Sequence, residues 1–315
     1  VTANLRELNE RLVDFVPAET FSSKAILRHV FSGGGKRIRP ALYFMCCRLL
    51  GYQGTHLYPI AAVTEFVHTA SLLHDDVVDH STIRRGKPTA NSIYGDESSV
   101  LVGDLVYSTA SEMMAATGDM EIVKTFAEAI RLMSDGELLQ LESLFKPDLP
   151  EKTYLRILEC KTAILISAAC KSAALLAKAP ASERDALSRF GYGVGMAFQL
   201  IDDALDYLGA EDLVGKSTLA DLPEGKVTMP ILLLMRVGSE ADIKIVREII
   251  AKDPITSEDA QRVSKLVAQY DTANATIERA QQYTQLAMDS LHSFRPSAER
   301  DALENLANKL LLRFH

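Results

Sequence analysis

Apolar residues recur at three- and four-residue spacing along nearly the whole chain, and neither an alternating strand pattern nor an Asn-Gly hairpin signal interrupts them. An all-α fold follows. Helices are expected over 3–15, 20–31, 38–50, 58–79, 98–116, 120–144, 151–177, 183–209, 229–237, 240–252, 257–270, 272–292 and 297–313. Proline and glycine punctuate the gaps, among them Pro17, Gly33 to Gly35, Gly86 with Pro88, Gly118, Pro147 with Pro150, Pro180, Pro223 with Gly225, Pro254 and Pro296. Pro230 reads as an early helical position behind a Thr228 cap. With 315 residues, 47% of them hydrophobic, the chain can bury a substantial core. It contains no Gly/Ser linker and no low-complexity tract, so one domain over 1–315 is expected, a helical bundle.

Three aspartates, Asp75, Asp76 and Asp79, close the apolar run EFVHTASLLHDDVVDHSTIRR, residues 65–85. On a helical wheel they fall at roughly 0°, 100° and 40°, within little more than a quadrant. Like charges at that spacing weaken a helix, and nothing immediately beside them neutralises the group, so a cation is expected there. The device recurs at Asp202, Asp203 and Asp206 in QLIDDALDY. One acidic triplet is usually a solvated face; a second copy, again behind an apolar segment and with cations nearby, points to metal. A hard divalent ion such as Mg²⁺ suits one or two carboxylates, with phosphate oxygens and water completing its shell.

The cations sit where phosphates could be held. GGGKRIRP, residues 33–40, combines backbone freedom with Lys36, Arg37 and Arg39, and lacks both the strand and the Ser/Thr of a Walker loop. Arg84 and Arg85 follow the first aspartate group, where they either fork onto phosphate or pair with the acidic helix. Lys161 interrupts the small-residue helix CKTAILISAAC, a poor place for an ammonium unless it meets an anion or snorkels to water. Lys216 and Lys226 lie ten and twenty residues beyond Asp206 in loop-like sequence. His68 is on the face of Asp75, about 10 Å along the helix, and is otherwise a hydrogen-bonded core histidine. Gln199 lies one turn before Asp202, able to orient a reacting group or a metal-bound water. Cys46, Cys47, Cys160 and Cys170 have neither zinc nor disulfide-framework spacing and read as buried thiols. The net charge of -8 speaks against a nucleic-acid binder. No apolar run is long enough to span a bilayer, and neither a signal pattern nor a lipidation box is evident, so a cytoplasmic protein is expected.

Metal-binding carboxylates, scattered cations and an apolar helical interior suit diphosphates with greasy tails. The chain resembles the trans-prenyltransferase family, the head-to-tail isoprenyl diphosphate synthases, from about Gly33 to Pro230. GGGKRIRP, EFVHTASLLHDDVVDHSTIRRGKPT, KTA, FQLIDDALDY and GK followed by EGKVTMP occur in family order. The resemblance implies the isoprenoid synthase fold, a helical bundle around a deep central cavity, usually homodimeric. It implies Asp75, Asp79 and Asp202 as the principal Mg²⁺ ligands, with Asp76, Asp203 and Asp206 completing the motifs and three Mg²⁺ ions in the loaded site. It matches Lys36, Arg39, His68 and Arg85 to isopentenyl diphosphate, and Arg84, Lys161, Thr162, Gln199, Lys216 and Lys226 to the allylic diphosphate. Of these, Lys161, Thr162, Gln199 and Lys216 are the candidate catalytic groups. The implied reaction is metal-assisted ionisation, attack by the isopentenyl double bond and proton loss to the released pyrophosphate.

Bulky aromatics at the fifth or fourth position before the first aspartate stop chain growth early in this family; here those positions are Ala70 and Ser71. From Pro59 to Asp75 is sixteen residues, about 24 Å of helix, enough for roughly five isoprene units. A long, octaprenyl-like product is expected, with deeper blockers such as Met113, Phe126 or Leu132 left unplaced. The alternatives are a farnesyl or geranylgeranyl diphosphate synthase, a terpene cyclase, whose second motif would usually mix Asn, Ser or Thr with acids, and a non-catalytic regulatory subunit, which commonly lacks one aspartate motif.

Overall fold

A computed structural model describes residues 1–32, 35–84, 86–208 and 219–311. The helical periodicity is realised throughout them, as α1 (Thr2–Arg11), α2 (Phe21–Ser32), α3 (Ile38–Leu49), α4 (Leu57–Val78), α5 (Ala90–Tyr94), α6 (Asp96–Ala115), α7 (Met120–Ser143), α8 (Glu151–Leu158), α9 (Ile164–Leu176), α10 (Ala181–Leu208), α11 (Met229–Val237), α12 (Glu240–Ile250), α13 (Ser257–Gln269), α14 (Thr272–Ser290) and α15 (Ala298–Leu311). The described residues fall into two compact units. One comprises Val1–Ile130, Ala168–Ser188 and Phe294–Leu303; the other comprises Arg131–Ser167, Arg189–Ser293 and Glu304–His315.

In the first unit α4 is the central element, packed on α3 and α6. Its run from Ile60 to Val67 is buried on every side, as an all-round apolar helix must be. The two polar residues in that run are satisfied: Thr64 donates to the Ala61 carbonyl at 2.8 Å, and Glu65 accepts from Arg37. Tyr43, Phe44 and Phe66 are fully buried around it, and Cys46, Cys47 and Cys170 are buried free thiols, as their spacing predicts.

In the second unit α11, with the sequence MPILLLMRV, packs on α8, α12, α13 and α14. Glu151 at the start of α8 accepts from Arg279 of α14 and Arg236 of α11, both at 2.6 Å. Burial alone would raise its pKa, but the two guanidiniums hold it below the ordinary carboxylate range. Thr228 occupies the cap of α11 with Pro230 in the first turn; the expected position is right, although the hydroxyl makes no capping bond.

Three local features depart from the expected pattern. A two-residue antiparallel hairpin pairs Ile83–Arg84 with Lys87–Pro88, turning at Gly86, whose φ is +74°. Strands this short show no alternation. Helix α5 has five residues, too few for a helical period to repeat. Between α8 and α9 the chain forms a π turn, Glu159–Ala163, invisible to a count of apolar spacing. Among the described residues no helix is long and apolar enough to cross a membrane.

Candidate active site

The first aspartate group ends α4. His80 takes the left-handed conformation, φ 49°, its N–H donates to the Val77 carbonyl, and the Ser81 N–H donates to the Asp76 carbonyl. This is the Schellman arrangement, here built on histidine instead of glycine. It fixes Asp75, Asp76 and Asp79 at the helix end, where the dipole already carries partial negative charge and the last turn itself contains no basic residue. The three carboxylates are not equivalent. Asp76 is buried, and Arg84 of the hairpin donates to its Oδ1 through Nε at 2.7 Å. Burial raises the Asp76 pKa, Arg84 opposes the rise and Asp79 adds to it. Asp75 is half-buried and Asp79 exposed. The expectation that nothing nearby neutralises this group is therefore corrected: the hairpin folds Arg84 back onto its middle member, which is the ion-pair alternative.

The same unit holds the basic loop. Arg37, at φ 47°, turns inward: Nε donates to Asn9 at 2.9 Å, Nη2 to the Phe31 carbonyl at 3.2 Å and Nη1 to Glu65, both partners of that ion pair being 8% exposed. Arg37 thus anchors the loop to α4, one helical turn before His68. Lys36 and Arg39 flank the anchor, Lys36 exposed and Arg39 half-buried. Ala70 is buried, and Ser71 donates its hydroxyl to the His68 carbonyl at 2.9 Å. His74 is held by the Val100 carbonyl at 3.1 Å. Arg85 and Lys216, like Gly33 and Gly34, lie outside the described residues.

The second aspartate group occupies the last two turns of α10, again without a basic neighbour in the helix end. Asp202 is exposed, whereas Asp203 is buried and accepts from one neutral donor on each oxygen. Tyr154 of α8 donates its phenol to Oδ2 at 2.5 Å, and Gln199 donates its amide to Oδ1 at 3.0 Å. The Gln199 carbonyl oxygen accepts the Thr162 hydroxyl at 2.9 Å, so Thr162, Gln199, Asp203 and Tyr154 form one network. Burial pushes Asp203 upward, the Asp221 charge adds to this, and the Tyr154 and Gln199 bonds oppose it. Asp206 accepts the N–H groups of Leu219 and Ala220 on Oδ1, at 3.1 and 3.0 Å, and that of Asp221 on Oδ2 at 3.2 Å.

A cavity of about 390 Å³ in this unit, lined by Leu139, Glu142, Lys146, Pro147, Pro150 and Thr153 among others, carries none of these groups. A smaller one, about 100 Å³, does: Gln140, Tyr154, Lys161, Gln199, Asp203, Asp221, Lys226 and Thr228 line it. Lys161 donates to Glu137 at 3.0 Å and Gln140 at 3.2 Å. Lys226 pairs with Glu224. The structure therefore gathers Lys161, Thr162, Gln199, Asp203 and Lys226, and adds Asp221, Tyr154, Glu137 and Gln140, which sequence reasoning passed over. Tyr154 stands seven residues before Lys161, two turns along one helix face, and Glu137 and Gln140 have i, i+3 spacing; those were the available signals.

Among the described residues no three His, Cys, Asp or Glu side chains form a preassembled cage. A donor set made only of hard oxygens, open and projecting from helix ends, fits a cation that completes its shell with phosphate and water.

The polyprenyl synthetase family profile matches residues 22–268. The octaprenyl diphosphate synthase of Escherichia coli is 38% identical over 284 residues, covering 89% of this chain and 86% of that protein. Among solved structures, a decaprenyl diphosphate synthase from Rhodobacter capsulatus superposes with a TM-score of 0.94 at 35% identity, over 100% of this chain and 97% of that one. A polyprenyl synthase from Caulobacter crescentus CB15, complexed with calcium and isoprenyl diphosphate, gives 0.93 at 36% identity, over 100% and 96%.

Proposed function

Because the chain belongs to the polyprenyl synthetase family, we propose that it condenses isopentenyl diphosphate with an allylic diphosphate, head to tail, into a long all-trans polyprenyl diphosphate. The observation that carries this is the repeated aspartate group: two helix ends, each with a buried, hydrogen-bonded middle carboxylate and an exposed one beside or near it. Acids gathered at a negative helix terminus repel one another and the helix dipole, a cost that a bound cation removes. Asp75, Asp79 and Asp202 are the residues to hold Mg²⁺, with three ions in the loaded site. Bound Mg²⁺ supplies neutralisation of the charge that develops on the departing diphosphate.

The chain's own groups do the rest. Lys161 and Lys226, with Thr162 and Gln199, receive allylic diphosphate oxygens, joined by Lys216 and by Arg84, which keeps its Nε on Asp76 while its guanidinium reaches phosphate. Lys36, Arg39, His68 and Arg85 hold isopentenyl diphosphate, and the Arg37–Glu65 pair keeps the loop in register with His68. The helix interior excludes water from the allylic cation, and the proton left after condensation goes to the released pyrophosphate. Small Ala70 and Ser71 leave room for a growing chain. The protein acts as a single catalytic domain, in the cytoplasm, as a homodimer; light scattering of the purified chain tests the last point.

Radiolabelled isopentenyl diphosphate, Mg²⁺ and dimethylallyl, geranyl or farnesyl diphosphate are the test, with product length read by chromatography. Products beyond twenty carbons are expected from the chain alone. Resistance to extension past twenty carbons would sink the long-chain reading, and no turnover without a partner would make the chain a regulatory subunit. Ala70→Tyr is expected to shorten the product with little loss of the first condensation.

A further inference from the structure

The π turn Glu159–Ala163 carries Lys161 and Thr162, and two glycines border it. A Cβ on Gly136 of α7 would lie 2.5 Å from Cys160 Cβ, and one on Gly195 of α10 would lie 2.5 Å from Ala163 Cα. Glycine inside a helix costs roughly 1 kcal/mol relative to alanine, so its use at these two positions needs a reason. Close approach supplies one. Each helix also presents polar partners just beyond its glycine: Glu137 and Gln140 of α7 accept from Lys161, and Gln199 of α10 accepts from Thr162. Glycines and acceptors from two helices thus converge on consecutive residues of the one π turn among the described residues, a distortion that proteins retain mainly where function needs it.

We propose that Gly136, Gly195, Glu137 and Gln140 are positioning residues: they clamp the π turn so that the Lys161 ammonium and Thr162 hydroxyl are aimed at the allylic diphosphate. The inference rests on the reading of Lys161 and Thr162 as groups that contact that diphosphate. Gly193 provides an internal control, because its Cβ would meet the Tyr283 carbonyl at 2.6 Å and Ala287 of α14, away from the turn.

Steady-state kinetics with each substrate varied, calorimetric binding of inorganic pyrophosphate with Mg²⁺, and thermal unfolding distinguish the roles. Gly195→Ala is expected to lower kcat/KM for the allylic diphosphate roughly 100-fold, the scale of a 1 Å misplacement. It should also weaken pyrophosphate binding and leave the KM for isopentenyl diphosphate unchanged. Gly193→Ala should lower the melting temperature and spare both KM values. Should Gly195→Ala fail to fold, Glu137→Ala carries the test, with raised allylic KM and recovery in Glu137→Gln, whose amide oxygen still accepts from Lys161. Equal effects on both substrates, or no selective effect of Glu137→Ala, overturn the clamp. Lys161→Ala with unchanged allylic KM and pyrophosphate binding overturns the underlying diphosphate reading as well, whereas loss in Lys161→Ala beside normal Gly195→Ala and Glu137→Ala overturns the clamp alone.

Discussion

The two aspartate groups share the spacing D-D-x-x-D and differ in how each buried middle carboxylate is held. Asp76 is paired with a charge, Arg84, delivered by a hairpin just beyond the helix. Asp203 is held by a phenol and an amide from neighbouring helix positions, and those donors tie it to Thr162 beside Lys161. A charged partner stabilises the ionised carboxylate but is salt-sensitive, and here it is itself more than a third exposed. Neutral donors are indifferent to salt, and burial raises the carboxyl pKa in both groups. One acidic motif can therefore be served by two electrostatic strategies, and what both preserve is the exposure of Asp79 and Asp202.

The largest expected effect tests whether the groups are functionally equal. Asp75→Ala and Asp202→Ala should each lower turnover on the order of 10³-fold, several kcal/mol of charge stabilisation, while the melting temperature holds or rises as repulsion at the helix end is relieved. Normal Mg²⁺-dependent condensation in either variant would break the equivalence. Smaller effects separate the supports. Arg84→Ala should destabilise the protein by about 1–2 kcal/mol, less than the loss of a fully buried pair because Arg84 is partly solvated. Tyr154→Phe should cost about 1 kcal/mol, one of the two bonds to Asp203 being kept by Gln199. Denaturant unfolding near 0.1 M and 1 M salt sharpens the contrast: the Arg84 effect should shrink in high salt and the Tyr154 effect should not.

How far each group could be read from sequence follows the same line. The helix periods, the acidic triplets and the basic loop are local patterns, and they foretold α4 and α10 to within two residues at either end. What escaped depends on tertiary approach. Arg37 and Arg39 look alike in KRIRP, yet Arg37 turns inward to Glu65, twenty-eight residues away. Tyr154 reads as an apolar helix position until α8 and α10 bring its hydroxyl to Asp203, forty-nine residues on. The π turn adds a residue to a helical turn without altering composition, so only backbone geometry reveals it. The left-handed His80 likewise sits where sequence rules favour glycine.

The smallest effect asks what Asp206 does within its triplet. Two backbone N–H groups bind Oδ1 and a third binds Oδ2, so this carboxylate closes the chain's return at Leu219–Asp221. A carboxylate offers about four acceptor sites, and three are taken by amides. Asp206→Asn keeps one carbonyl oxygen for the Leu219 and Ala220 amides and loses the negative charge together with the acceptor for Asp221. If anchoring is its main work, the variant should fall less than tenfold in kcat/KM, while Asp202→Asn falls on the order of 10³-fold. A comparable loss in both variants, measured by label incorporation at saturating Mg²⁺, would place Asp206 among the metal ligands proper and make the second triplet, unlike the first, a group in which the last carboxylate serves loop and metal together.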